Sequence, residues 1–195
     1  MDDSHADHTE AMDGPRGRAL VIGGTGMLSG AVRGLAGLGW DLVVPSRNPW
    51  RAPPRGVRWV RSEWGDPGAL AEALRTTGSA TGTSHDPASF DLLVAWVHTP
   101  HREQVLTAVE PLLSKQAVAV EVWGSASRNP LTTLPTPVLD LPTHQAVLGY
   151  QRHNGGTRWL TDGEVSEGVL AVARSALTGA PPRVHEVGTV NPWPP

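Results

Sequence analysis

The chain has 195 residues, a net charge of −3 and no cysteine. That length buries one domain core but not a dinucleotide domain plus a separate substrate domain. The charge excludes a basic field for nucleic acid, no apolar run reaches the ~18 residues of a membrane span, and the missing cysteine excludes disulfides and thiolate chemistry. With no charged-apolar-small leader, a soluble, cytoplasmic protein is the expectation.

Residues 1–17 carry Asp2, Asp3, Asp7, Glu10 and Asp13 with almost no large apolar side chain, and read as a disordered acidic tail before a domain over 18–190. Ala19 to Ile22 is the first strand. It runs into the glycine turn Gly23-Gly24-Thr25-Gly26-Met27-Leu28-Ser29-Gly30, and a helix follows with Leu28, Val32, Leu35 and Leu38 on one stripe. Asp41 to Val44 and Val57 to Val60 are the second and third strands, and Asp66-Pro67 starts a helix, an N-cap carboxylate before a proline at the first helical position. Residues 76–89 are turn formers and read as a surface loop. Asp91 to Val97 is a continuous apolar run, as in a strand covered on both faces.

His101 to Leu113 follows as a helix that Pro111 ends early, and Ala117 to Trp123 is the fifth strand. The proline-rich stretch to Pro142 predicts irregular chain, and Val147 to Gln151 a sixth strand. Asn154-Gly155-Gly156 signals a turn into Arg158 to Leu160. Thr161 and Glu164 form a capping box for the last helix, with Val165, Val169, Val172 and Ala176 as its apolar stripe. Gly179 and Pro181-Pro182 stop it, Val184 to Val187 is an edge strand, and 191–195 a proline-rich tail. Strand alternating with helix six times predicts an α/β fold, a single doubly wound parallel sheet with helices on both faces. Its ligand cleft lies beyond the carboxyl ends of the first and fourth strands, where strand order reverses.

Strand, glycine turn and helix together make a seat for a dinucleotide pyrophosphate. Missing side chains at Gly23 and Gly26 let phosphates approach the backbone, and free N–H groups of the helix face the anion. At the end of the second strand an NAD site carries an acidic residue, but this chain has Ser46-Arg47-Asn48. An arginine beside a hydroxyl suits a 2′-phosphate, so NADP is the expected cofactor.

These residues resemble the short-chain dehydrogenase/reductase superfamily over about 18–178, which implies a Rossmann-like fold. Gly23 to Gly30 is similar to that superfamily's cofactor loop, with Ser29 where its last glycine falls. Ser46-Arg47-Asn48 is similar to its NADP-selecting segment. Glu63-Trp64 stands where an Asp-Val pair borders the adenine, and Ala95-Trp96-Val97-His98 ends the strand that normally carries Asn-Ala-Gly. The resemblance thus implies cofactor contacts from Gly23, Gly24, Thr25, Gly26, Met27, Leu28, Ser46, Arg47, Asn48, Glu63, Trp64, Ala95 and Trp96. The superfamily's catalysis needs Tyr and Lys four apart on one helix, the lysine lowering the tyrosine pKa. Here the only tyrosine is Tyr150 and the only lysine is Lys115. The pair is therefore missing.

His98, Ser125 and Tyr150 are the candidates for the vacant catalytic role, each at or beyond a strand end. Their structural alternatives are a hydrogen-bonded histidine, a turn serine capping its own backbone and a packed tyrosine. A metal shared by His98 and His101 lacks a third ligand near in sequence, and no metal site is expected. Three functions remain open. One is an NADPH-dependent reductase of a small carbonyl, imine or activated alkene. Another is a non-redox cyclase, isomerase or dehydratase on the same scaffold, and the third a cofactor-sensing scaffold. The partner expected is a small-molecule substrate, with a homodimer compatible with an edge strand or outer helix face.

Overall fold

The computed structural model describes residues 16–50, 52–77, 89–124, 129–153 and 155–193. Seven parallel strands make one sheet: β1 (Arg18–Ile22), β2 (Asp41–Ser46), β3 (Val57–Arg61), β4 (Phe90–Ala95), β5 (Leu113–Trp123), β6 (Thr143–Leu148) and β9 (Val184–Val187), in the order β3-β2-β1-β4-β5-β6-β9. After β6, β7 (Tyr150–His153) and β8 (Gly156–Trp159) form an antiparallel hairpin.

Four helices cover the sheet: α1 (Ser29–Gly37), α2 (Pro67–Arg75), α3 (Thr99–Val109) and α4 (Asp162–Leu177). Alternation along each strand divides the core. Ala19, Val21, Val120 and Val122 pack against Val32 and Leu35 of α1 and Val165 and Val169 of α4, whereas Leu20, Ile22, Leu93 and Ala119 pack against Leu70 of α2 and Val105 and Leu106 of α3. The expected doubly wound sheet with helices on both faces is thus observed.

Several local signals hold in detail. Asp66 accepts a hydrogen bond from Ala69 N at 2.9 Å, with Pro67 opening α2. Thr161 and Glu164 complete the capping box of α4. Arg158 grips the Glu164 carboxylate at 2.7 and 2.9 Å and helps lower that carboxyl to about 2.

The alternation of strand and helix is incomplete, however. The described residues between β2 and β3 form no helix, and the described residues of the β5–β6 connection form only a 3₁₀ turn at Pro130–Thr133. That connection still covers the sheet, since Leu139 joins the α2/α3 side of the core and Gln145 Nε2 donates to the Pro135 carbonyl at 2.9 Å.

β6 begins four residues earlier than the sequence pattern indicates, and Tyr150 and Gln151 belong to the hairpin. The polar residues that hid this strand are buried with partners. His144 Nδ1 lies 2.8 Å from His185 Nε2 of β9, and the two rings stack with centroids 5.1 Å apart. The α3 helix likewise starts at Thr99 rather than His101.

Residues of the expected tails make contacts with the domain. Arg16 N donates to the Gly39 carbonyl at 3.0 Å and the Gly17 carbonyl accepts from Asp41 N at 3.0 Å, so order precedes residue 18. Residues 1–15 of the expected tail, and 78–88 of the expected loop, lie outside the described residues. At the other end, Trp193 packs edge-on against Tyr150, with ring centroids 6.3 Å apart. Among the described residues, no helix is long and apolar enough to cross a membrane.

Burial lowers the pKa of both His144 and His185 from the ordinary 6.5, with Arg183 adding its charge against protonation. Below about pH 6.5 the unfolded chain then binds protons that the folded chain refuses, so stability falls with acidification. Urea midpoints are expected to drop as the pH falls below about 6.5. Replacing both histidines by leucine should flatten that part of the profile, and an unaltered slope would refute the assignment.

Candidate functional site

The carboxyl ends of β1, β2, β3 and β4 open into a cleft of about 700 Å³. Gly23, Thr25, Gly26, Met27 and Leu28 line it from the turn after β1, and Ser46, Arg47 and Asn48 from the end of β2. Ser62, Glu63 and Trp64 follow β3, and Trp96, His98 and His101 follow β4.

The floor is fixed where strand order reverses. Trp96 N donates to the Ile22 carbonyl at 3.0 Å, bringing β4 against β1. Gly23 sits at φ +83°, and a Cβ there would stand 2.8 Å from the Trp96 carbonyl oxygen. Glycine is required twice over, for conformation and for space. Gly26 differs, because no atom lies within 4 Å of its Cβ position. Its missing side chain leaves open cleft rather than relieving a contact.

Helix α1 starts at this turn with Leu28 as N-cap and no cap from that side chain; Ser29 N donates to the Gly26 carbonyl at 2.8 Å and Gly30 N to Ser166 Oγ at 3.1 Å, while the positive end of the helix faces the turn. Arg47 is exposed at the rim. Ser46 braces it rather than facing the cleft as a free hydroxyl, since Oγ donates to the Asn48 carbonyl at 2.6 Å and accepts from Trp59 Nε1 at 2.9 Å. Ser62 Oγ, beside the cleft, is buried without a hydrogen-bond partner. Open space at Gly26, a glycine turn at a helix start and an exposed arginine fit a phosphorylated nucleotide.

Gly24 and Ala95 are not among the residues that line the cleft. Gly24 is buried, its Cβ position 2.9 Å from Val44 and 3.0 Å from Val32, so its role is to let α1 approach the sheet. Ala95 is fully buried in the α2/α3 side of the core.

Of the catalytic candidates, His98 lines the cleft. It is exposed, forms the N-cap position of α3 and packs edge-on against Trp64 with centroids 5.4 Å apart. Tyr150 does not. It is 2% exposed, and its hydroxyl donates to the Pro192 carbonyl. Ser125 lies outside the described residues. Among the described residues, no group of three or more His, Asp or Glu side chains is placed to hold a metal ion.

Arg102, one helical turn past His98, ties α3 to β5. It donates to Glu121 Oε2 at 3.1 Å and to the Val122 carbonyl at 2.6 Å, and its guanidinium lies 3.5 Å from the Trp123 ring centroid. Burial pushes the Glu121 carboxyl up and the Arg102 guanidinium down, each opposed by the other's charge. The sequence pattern gave no sign of this pair, because both charges sit at positions that read as apolar face.

A parallel sheet whose order reverses at a glycine turn is the doubly wound Rossmann-like arrangement, with the cleft at its switch point. It is the fold of the short-chain dehydrogenases/reductases. A short-chain dehydrogenase/reductase from Serratia marcescens superposes with a TM-score of 0.63 at 16% identity, over 88% of this chain and 95% of that one. BdcA, solved in complex with NADPH, superposes with a TM-score of 0.60 at 13% identity, over 91% of this chain and 97% of its own. No protein-family model and no curated protein matches the sequence.

The two cleft glycines should separate in stability measurements. Gly23→Ala is expected to lower unfolding free energy by about 2 kcal/mol or more, from strain and the Trp96 clash. Gly26→Ala should stay within about 0.5 kcal/mol of the parent. Equal denaturation midpoints for the two variants would contradict this geometry.

Proposed function

We propose that the cleft binds NADP(H) and that the chain is an oxidoreductase acting on a small carbonyl, imine or activated alkene. What carries this reading is one cleft that combines the glycine turn at the start of α1, the open space at Gly26 and Arg47 at the end of β2. The NADPH complex of the structurally similar BdcA supports the choice of nucleotide.

In this reading Gly26, Met27 and Leu28 present backbone to the pyrophosphate, and Arg47 neutralises the 2′-phosphate. Glu63 and Trp64 border the adenine. The nicotinamide, when bound, supplies the hydride. The chain contributes position, an apolar wall at Trp96 and a proton from water or from the His98 imidazole. Arg102, through Glu121 and Val122, holds the helix that begins beside His98.

A non-redox reading, as a cyclase, isomerase or dehydratase, draws on two placements. Tyr150 is buried with its hydroxyl engaged, and Lys115 is exposed on the half of β5 remote from the cleft. Neither stands where a proton would be needed.

Calorimetric titration should show NADP+ bound more tightly than NAD+. Arg47→Ala should weaken NADP+ by about tenfold or more while leaving NAD+ nearly unchanged. Consumption of NADPH with a panel of carbonyls, imines and alkenes then tests the reaction. A product that still forms when the nicotinamide is replaced by a redox-inactive analogue would favour the non-redox reading instead.

A further inference from the structure

Helix α1 begins without a cap of its own. Leu28 occupies the N-cap position and has no side-chain oxygen, so an acceptor for the first turn must come from elsewhere. Ser166, in α4 and 136 residues beyond Gly30, provides it: its Oγ accepts from Gly30 N at 3.1 Å. The same hydroxyl donates to the Met27 carbonyl at 2.6 Å. Ser166 is 3% exposed. Gly30 permits the approach, since a Cβ there would lie 2.8 Å from Ser166 Cβ, and Gly34 admits Leu170 one turn further on.

We infer that Ser166 is a positioning residue for the anion-binding turn: by holding the Met27 carbonyl toward α4, it directs the Leu28 N–H into the cleft to meet the nucleotide's pyrophosphate. The step follows from peptide geometry. The Met27–Leu28 peptide is planar and trans, so its carbonyl and N–H point in opposite directions. Fixing one fixes the other. Met27 and Leu28 both line the cleft, and the Met27 carbonyl is held by Ser166 of α4. Ser166 thus caps α1 in trans and leaves the turn's outward donor for a ligand.

This inference rests on the NADP reading, and its test separates the two. Binding of NADP+ and of adenosine 2′-monophosphate, which lacks a pyrophosphate, is measured by calorimetry for the wild type and for Ser166→Ala. Ser166→Ala should raise the NADP+ Kd about tenfold while adenosine 2′-monophosphate stays within about twofold. Equal weakening of both probes, or no change for NADP+, overturns the positioning role. Should the alanine variant not fold, Ser166→Cys decides by the same criterion, because the thiol keeps the packing against Gly30 and bonds weakly. A wild type that binds neither probe removes the nucleotide reading and this inference with it. A wild type that binds NADP+ beside unaffected variants removes this inference alone.

Discussion

The contact between Gly23 and Trp96 is narrower than one methyl group, and the cleft depends on it. Sheet order reverses between β1 and β4, and the two strands hold register there through the Trp96 N–H on the Ile22 carbonyl. Gly23 leaves β1 with a positive φ because the Trp96 backbone occupies the space a side chain would need. The chain after β1 therefore turns upward and away, and the amino end of α1 comes to face the cleft. A larger residue would move β4, and with it Trp96, His98 and the start of α3.

From that junction outward, the site is held by contacts between its elements. Ser46 ties the end of β2 to Trp59 of β3 and braces Arg47. Arg102 ties α3 to the end of β5 through a carboxylate that is 1% exposed. Buried ion pairs of this kind add little net stability, but removing one partner leaves a stranded charge, so they select one arrangement strongly. Three elements that meet at the rim are thus each fastened by a polar contact beneath it.

Much of this was legible in the sequence wherever the signal was local. The glycine turn, the Asp66-Pro67 start, the Thr161/Glu164 capping box and the apolar runs of β1 and β4 each state their structure within a few residues. Legibility failed where a residue's meaning lay in a distant partner. His144 and Gln145 fell outside the expected sixth strand because the sequence cannot show that His185 and the Pro135 carbonyl meet them. The Glu121–Arg102 pair left no signal for the same reason. Ser166 stands on the apolar stripe of α4, three residues before Val169 and seven before Ala173, and a polar residue at such a position was its only signal. The six-fold alternation of helix and strand failed because a proline-rich crossover covers the sheet without a helix.

The trans cap on α1 also has a consequence in time. The glycine turn and α1 are made before α4, which carries the hydroxyl that completes their geometry. A contact spanning so much of the chain closes only after the intervening sheet has formed, and long-range closure slows folding. The turn is thus made before the hydroxyl that holds it, and a ribosome-bound chain that has not yet made α4 lacks that contact.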